Sequence, residues 1–232
     1  MKKNYDICSI GNALVDEQYS IPESVILELG LTSDQMTLAT AEEQNNIETY
    51  LRKHNYTPIT ACGGSATNTL VAASYLGLTC TQLCRVADDT AGTLFINSLT
   101  ECNIDCPQPQ HAPKSTLSTG KCIVLVTPDS KRTMSTYLGI SENVHSNFIN
   151  ETSIQAAKHL YIEGYMLTNP TNQAAVTLAN SLAQQHQTKR VLSLSDPGVV
   201  EYFHDAFLSL CSSPVDFLFC NEAEAQTFTK TS

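Results

Sequence analysis

Short apolar runs alternate with longer stretches of helical spacing along most of this chain. Tyr5 to Gly11 predicts a first strand. Ile21 to Asn55 reads as helical pieces, one opened by Pro22 and closed by Gly30, the next near Ala41 to His54 with Ile47, Tyr50 and Leu51 on one side. Gly63-Gly64-Ser65 opens a third helix, with Ser65 at its N-cap, Gly77 as its stop, and Leu70, Val71, Ala73 and Leu76 as its apolar stripe. Thr79 to Val86 predicts a buried strand, and Asp88 and Asp89 cap a helix from Thr90 to about Cys102. Pro107, Pro109 and Pro113 make Asn103 to Ser118 irregular. Gly120 to Thr127 and Arg132 to Leu138 flank the turn Pro128-Asp129-Ser130-Lys131 and predict a β-hairpin.

The alternation then resumes. Strand Leu160 to Glu163, helix Thr171 to His186 and strand Arg190 to Ser195 lead into the turn Asp196-Pro197-Gly198. Val199 to Cys211 is helical, Asp216 to Cys220 extended, and Asn221 starts a further helix. Strand and helix in turn predict an α/β fold with a mainly parallel sheet covered by helices. A hairpin interrupting that order suggests an addition to the sheet, such as a lid. No composition shift marks a domain boundary.

The 232 residues are enough for one α/β domain with a sizeable core. A net charge of −10 repels nucleic acid and anionic membranes, so neither is an expected partner. No apolar run is long enough for a membrane span, and the first residues lack a signal-peptide core, so the default expectation is a cytoplasmic protein. The nine cysteines are then expected as thiols. Cys80, Cys84, Cys102 and Cys106 can be drawn as a zinc tetrad, but Cys80 and Cys84 on one buried strand face read better as small hydrophobes.

Three segments carry candidate chemistry. Gly63-Gly64-Ser65-Ala66-Thr67-Asn68 joins a loop to a helix, where glycines admit a ligand to the backbone and Asn68 could bond hydroxyls. The same glycines would serve an ordinary turn. Asp16 follows the first strand, where α/β folds bind ligands, and could accept from two adjacent hydroxyls, or be a solvated loop residue. Asn221 and Glu224 share one side of a helix start after a strand. They could hold hydrated Mg²⁺ with its phosphates, or form a capping box. Asp196 and Arg132 are weaker candidates, and the six histidines lack the spacing of a metal site. No Gly-x-Ser-x-Gly elbow, P-loop or Gly-x-Gly-x-x-Gly occurs.

These segments, with Arg132-Thr133-Met134 to Leu138-Gly139, Tyr161 to Tyr165, and Ser195-Asp196-Pro197, resemble in order the PfkB/ribokinase kinases, nearer their adenosine-kinase-like branch. The resemblance runs from Tyr5 onward. It implies a ribokinase-like three-layer α/β/α fold in one PfkB-type domain over 1–232, incomplete at its C-terminal end. A small β-rich lid would come from two insertions, about 12–61 and about 111–140, with strands flanking the Ile21 to Asn55 helices. The implied activity is ATP- and Mg²⁺-dependent phosphoryl transfer to a hydroxyl of a sugar or nucleoside. Asp16 would bind paired hydroxyls with Gly63, Gly64 and Asn68, while Asn221 and Glu224 would organise the ATP phosphates, Glu224 meeting Mg²⁺ through water. The family's catalytic-base Asp lies in a Gly-Ala-Gly-Asp segment, which this sequence lacks. No catalytic residue is therefore assigned, and a ligand-binding or interaction protein without turnover is the alternative. A sheet edge left open by missing strands would favour a homodimer. Metal analysis of the purified protein should find no stoichiometric zinc; a full equivalent would establish the cysteine tetrad.

Overall fold

The computed structural model describes residues 3–109 and 115–231. β1 (Tyr5–Ile10) and β2 (Leu14–Ser20) lead to α1 (Glu23–Glu28), β3 (Met36–Leu38), α2 (Ala41–Lys53) and β4 (Ile59–Gly63). α3 (Ser65–Tyr75), β5 (Cys80–Leu83), α4 (Thr90–Glu101) and β6 (Ile104–Asp105) follow. The hairpin β7 (Gly120–Val126) and β8 (Arg132–Tyr137) precedes α5 (Glu151–Gln155) and β9 (Ala157–Ile162). Next come α6 (Pro170–Gln185), β10 (Lys189–Ser193), α7 (Pro197–Tyr202), α8 (His204–Cys211), β11 (Phe217–Phe219) and α9 (Glu222–Thr229).

Two sheets result. The main sheet has six strands in the order β11-β10-β9-β1-β5-β6, and its strand pairings among the described residues are all parallel. Parallel strands need a cover on each face. On one side Cys8, Ile10, Leu160, Ile162 and Leu192 pack with Val176, Ala179 and Ala183 of α6. On the other, Cys80 and Cys84 pack with Leu70 and Ala73 of α3 and Phe95 and Leu99 of α4. These are the three α/β/α layers that strand–helix alternation predicts.

The second sheet has the order β3-β8-β7-β2-β4. One face is sealed by Val25, Ile26, Ile47 and Leu51 of α1 and α2 against Tyr19, Ile123 and Leu125. The opposite face carries Leu14, Cys122, Val124 and Met134. The hairpin stands where the sequence puts it, and its turn holds Ser130 at φ 66. Residues 110–114, including Pro113 and the start of the 111–140 segment, lie outside the described residues.

Several expectations need correction. Ile21 to Asn55 is not wholly helical, because β3 pairs with β8 between its two helices. Asp16 lies within a strand, not in a loop: β2 is flanked by β4 and β7, and that pairing outweighs its polar run Asp16-Glu17-Gln18. The strand expected over Thr79 to Val86 is only Cys80–Leu83, and the helix expected over Val199 to Cys211 breaks at Phe203 into α7 and α8. Gly64, not Ser65, is the N-cap of α3, and Leu76 is 82% exposed at the C-cap beyond the packed turns. Asp89 does cap α4, accepting from the Gly92 N–H at 2.7 Å. Among the described residues no helix is long and apolar enough to cross a membrane.

β11 forms one edge of the main sheet, with Phe217, Leu218 and Phe219 all exposed. An open apolar edge is a site of strand-to-strand association. Sedimentation of the 232-residue chain should show concentration-dependent self-association that Phe217→Lys diminishes. A monomer at all concentrations, with the variant unchanged, would contradict this.

Candidate functional site

The chain crosses from the main sheet to the second sheet between β1 and β2 and returns between β4 and α3. Those crossings bring Asn12 and Gly64 together. A Cβ on Gly64 would lie 2.5 Å from the Asn12 carbonyl oxygen, and its φ of +98 already excludes most side chains. Beside them a Cβ on Gly63 would fall 2.0 Å from Asp16 Oδ1. The di-glycine therefore makes room for the Asp16 carboxylate and lets two backbone segments touch.

Between the sheets is a cavity of about 230 Å³, lined on its polar side by Asn12, Asp16, Ser65, Asn68 and Glu163. Its apolar wall comes chiefly from the second sheet: Leu14, Met36, Leu38, Met134 and Leu138. Register explains the grouping, since Asp16 on β2 stands level with Cys122 on β7, which stands level with Thr136 on β8.

Asp16 makes no side-chain hydrogen bond or ion pair among the described residues. Burial pushes its carboxyl up to about 6. The buried Asn12 leaves its side-chain oxygen without a partner. Unpaired acceptors beside a cavity are costly unless a ligand satisfies them.

Glu163, at the C-terminal end of β9, is 1% exposed. One oxygen accepts the Asn12 N–H at 2.6 Å, and the other accepts the Ser65 N–H at 3.1 Å and the Ser65 hydroxyl. Gly64 has no side chain to cap α3, so a carboxylate from another strand meets the helix's unpaired donors and its positive end. Burial raises the Glu163 carboxyl above the usual range, opposed by these donors.

Of the residues singled out in the sequence, Asp16, Gly64 and Asn68 line this cavity, with Gly63 directly over Asp16. Asn221 and Glu224 are not in its lining and lie just beyond β11. They form the capping box: Asn221 Oδ1 accepts the Glu224 N–H at 2.8 Å, and the Asn221 backbone N–H donates to Glu224 Oε2 at 3.2 Å, with a further bond from the Asn221 side-chain amide to Glu224 Oε1 at 2.9 Å. Asp196 caps α7 by accepting from the Gly198 and Val199 N–H groups, and Arg132 is exposed outside the cavity. Among the described residues no group of three or more His, Cys, Asp or Glu side chains could hold a metal ion. Asn12, Glu163 and the apolar wall were not singled out, although Glu163 shares with Asp16 the signal of an acid just after an apolar run.

The model of the pfkB family carbohydrate kinases matches residues 29–232. The chain belongs to that family. Among curated pfkB relatives, the adenosine kinase of Schizophyllum commune is 26% identical over 236 residues, covering 99% of this chain and 66% of that protein. Two solved structures superpose closely. One is a probable sugar kinase from Rhizobium etli CFN 42, at TM-score 0.88 and 28% identity, covering 100% of this chain and 68% of that one. The other is the adenosine kinase from Sinorhizobium meliloti, at TM-score 0.86 and 29% identity, covering 98% of this chain and 68% of that one. The chain thus spans about two thirds of the length of its curated pfkB relatives.

The raised Asp16 carboxyl fixes a pH dependence. Its folded pKa of about 6 exceeds the ordinary value of 3.8. The contribution is fully present below the ordinary value and is lost as pH rises through about 6. Asp16→Asn should therefore raise stability near pH 7 by roughly 1–2 kcal/mol and flatten the slope between pH 4 and 6. Urea unfolding across that range checks it; unchanged slopes would place the Asp16 carboxyl in water.

Proposed function

We propose that this chain forms the acceptor site of an ATP-dependent phosphotransferase acting on a hydroxyl of a nucleoside. One observation carries the reading: an unpartnered, half-buried carboxylate, Asp16, faces a cavity whose other wall is apolar. A simple sugar matches only the polar half. A nucleoside offers adjacent hydroxyls to Asp16 and a flat base to Met36, Leu38, Met134 and Leu138. The adenosine kinase names among the pfkB relatives support the same class.

Asp16 accepts from two neighbouring hydroxyls, and its ionised form does so best, so binding strengthens as pH rises through about 6. Gly63 and Gly64 keep side chains out of that space, while Asn68 and Asn12 supply further polar contacts. The second sheet is the lid. Closing it on the base excludes water, so that the phosphoryl group would go to the nucleoside. Oxygen donors suit Mg²⁺, which keeps several waters and needs few protein ligands. Asn221 and Glu224 would hold that hydrated ion, since their mutual bonds leave carboxylate lone pairs free. ATP and its metal would supply the transferable phosphoryl group and neutralise its charge.

No Gly-Ala-Gly-Asp segment occurs in these 232 residues, so binding without turnover is the expectation for this chain alone. Calorimetric titration with ribose, fructose and adenosine tests the reading. Adenosine should bind most tightly, and Asp16→Ala should weaken it by about 10- to 100-fold, the loss expected for hydrogen bonds to a charged group. Absence of binding by all three, or adenosine binding indifferent to Asp16→Ala, would refute it.

A further inference from the structure

We infer that Glu163 is a positioning residue of this site: its buried carboxylate ties the start of β2 and the start of α3 to the end of β9, and so holds Asp16 and Asn68 on one cavity. The inference rests on the acceptor-site reading only for what the cavity binds.

Glu163 touches two of the crossings between the sheets, β1 to β2 and β4 to α3. Its contact with the Asn12 N–H fixes the chain two residues before β2 begins. Its contacts with the Ser65 N–H and hydroxyl fix the first residue of α3, with Gly64 alone between it and β4. β2 and β4 pair antiparallel, Leu14 opposite Gly63 and Asp16 opposite Ala61, so both members of the pair are anchored at their base by one side chain. Asn68 lies on the first turn of the helix so held, its N–H bonded to the Gly64 carbonyl.

The surroundings are cut to fit this carboxylate. A Cβ on Gly11 would come within 2.8 Å of Glu163 Oε2 and 2.4 Å of Ala66 Cβ. A Cβ on Gly164 would lie 2.5 Å from the Ser193 carbonyl oxygen. The Glu163 N–H continues the main-sheet ladder onto the Ile10 carbonyl at 3.1 Å, so the base of the clamp belongs to the rigid sheet. Glutamine at 163 would keep the volume but turn an N–H donor toward N–H donors. The crossings would then separate, and water would reach Asp16.

The test reads Asp16 directly, with no ligand needed. Carbon-detected NMR titration of the Asp16 carboxyl is compared between the 232-residue chain and Glu163→Gln. The expected result is a drop from about 6 toward the ordinary value of 3.8 in the folded variant. Adenosine affinity should fall with it by at least about tenfold, while in the Asp16→Asn background Glu163→Gln should cost much less. An Asp16 titration unchanged in folded Glu163→Gln overturns the inference, since a purely structural residue would lower stability without moving it. Should Glu163→Gln not fold, Ser65→Ala removes one donor and keeps the carboxylate: a downward movement of Asp16 supports the clamp, and no movement overturns it. Failure of the parent chain to bind adenosine would sink the nucleoside reading and leave this titration decisive for Glu163.

Discussion

A buried carboxylate surrounded by backbone N–H groups is the constraint on which the rest of this architecture turns. The two sheets share no strand, and the chain passes between them more than once. At the crossings from β1 to β2 and from β4 to α3, the Asn12 and Ser65 N–H groups find their partner in a side chain rather than in either sheet. Glu163 meets that need, accepting from Asn12 on one crossing and from Ser65 on another. Its burial cost is offset by several donors and by the positive end of α3. The glycines at 11, 63 and 64 follow from the same crowding, since each would drive a Cβ into a neighbouring atom.

Function follows from what this junction leaves open. The second sheet turns Leu14, Met134 and Leu138 toward the main sheet, and Asp16 sits on that face without a partner. An unpaired acid in an apolar surround destabilises the empty protein, a tension that suits a ligand with adjacent hydroxyls and an apolar body. The chain belongs to the pfkB family and spans only about two thirds of the length of the adenosine kinases it is similar to, so the nucleoside remains the proposed occupant.

Much of the main sheet was legible in the sequence, because strands buried on both faces read as apolar runs. Tyr5–Ile10 appears where hydrophobic spacing puts it and Cys80–Leu83 within the longer run expected there, while in the second sheet only the hairpin at 120–137 was as legible. The second sheet was harder. β2 carries Asp16, Glu17 and Gln18 in succession, β3 has only three residues, and β4 is mostly exposed, so none shows a clean alternation. Their strand character comes from neighbours distant in sequence. The di-glycine, Asp16 and Asn68 could be named as candidates because their residue types suit hydroxyl binding. Glu163 offers only the signal of an acid just after an apolar run, and its role is hidden because it depends on donors about 100 and 150 residues away in the chain.

A crystal structure of this chain with adenosine bound would test the central claim most directly. The account predicts two ribose hydroxyls within hydrogen-bonding distance of the Asp16 carboxylate, about 2.5–3.0 Å, with the base against Met36, Leu38, Met134 and Leu138. A nucleoside seated elsewhere, or one lodged in the cavity with its hydroxyls turned away from Asp16, would contradict it.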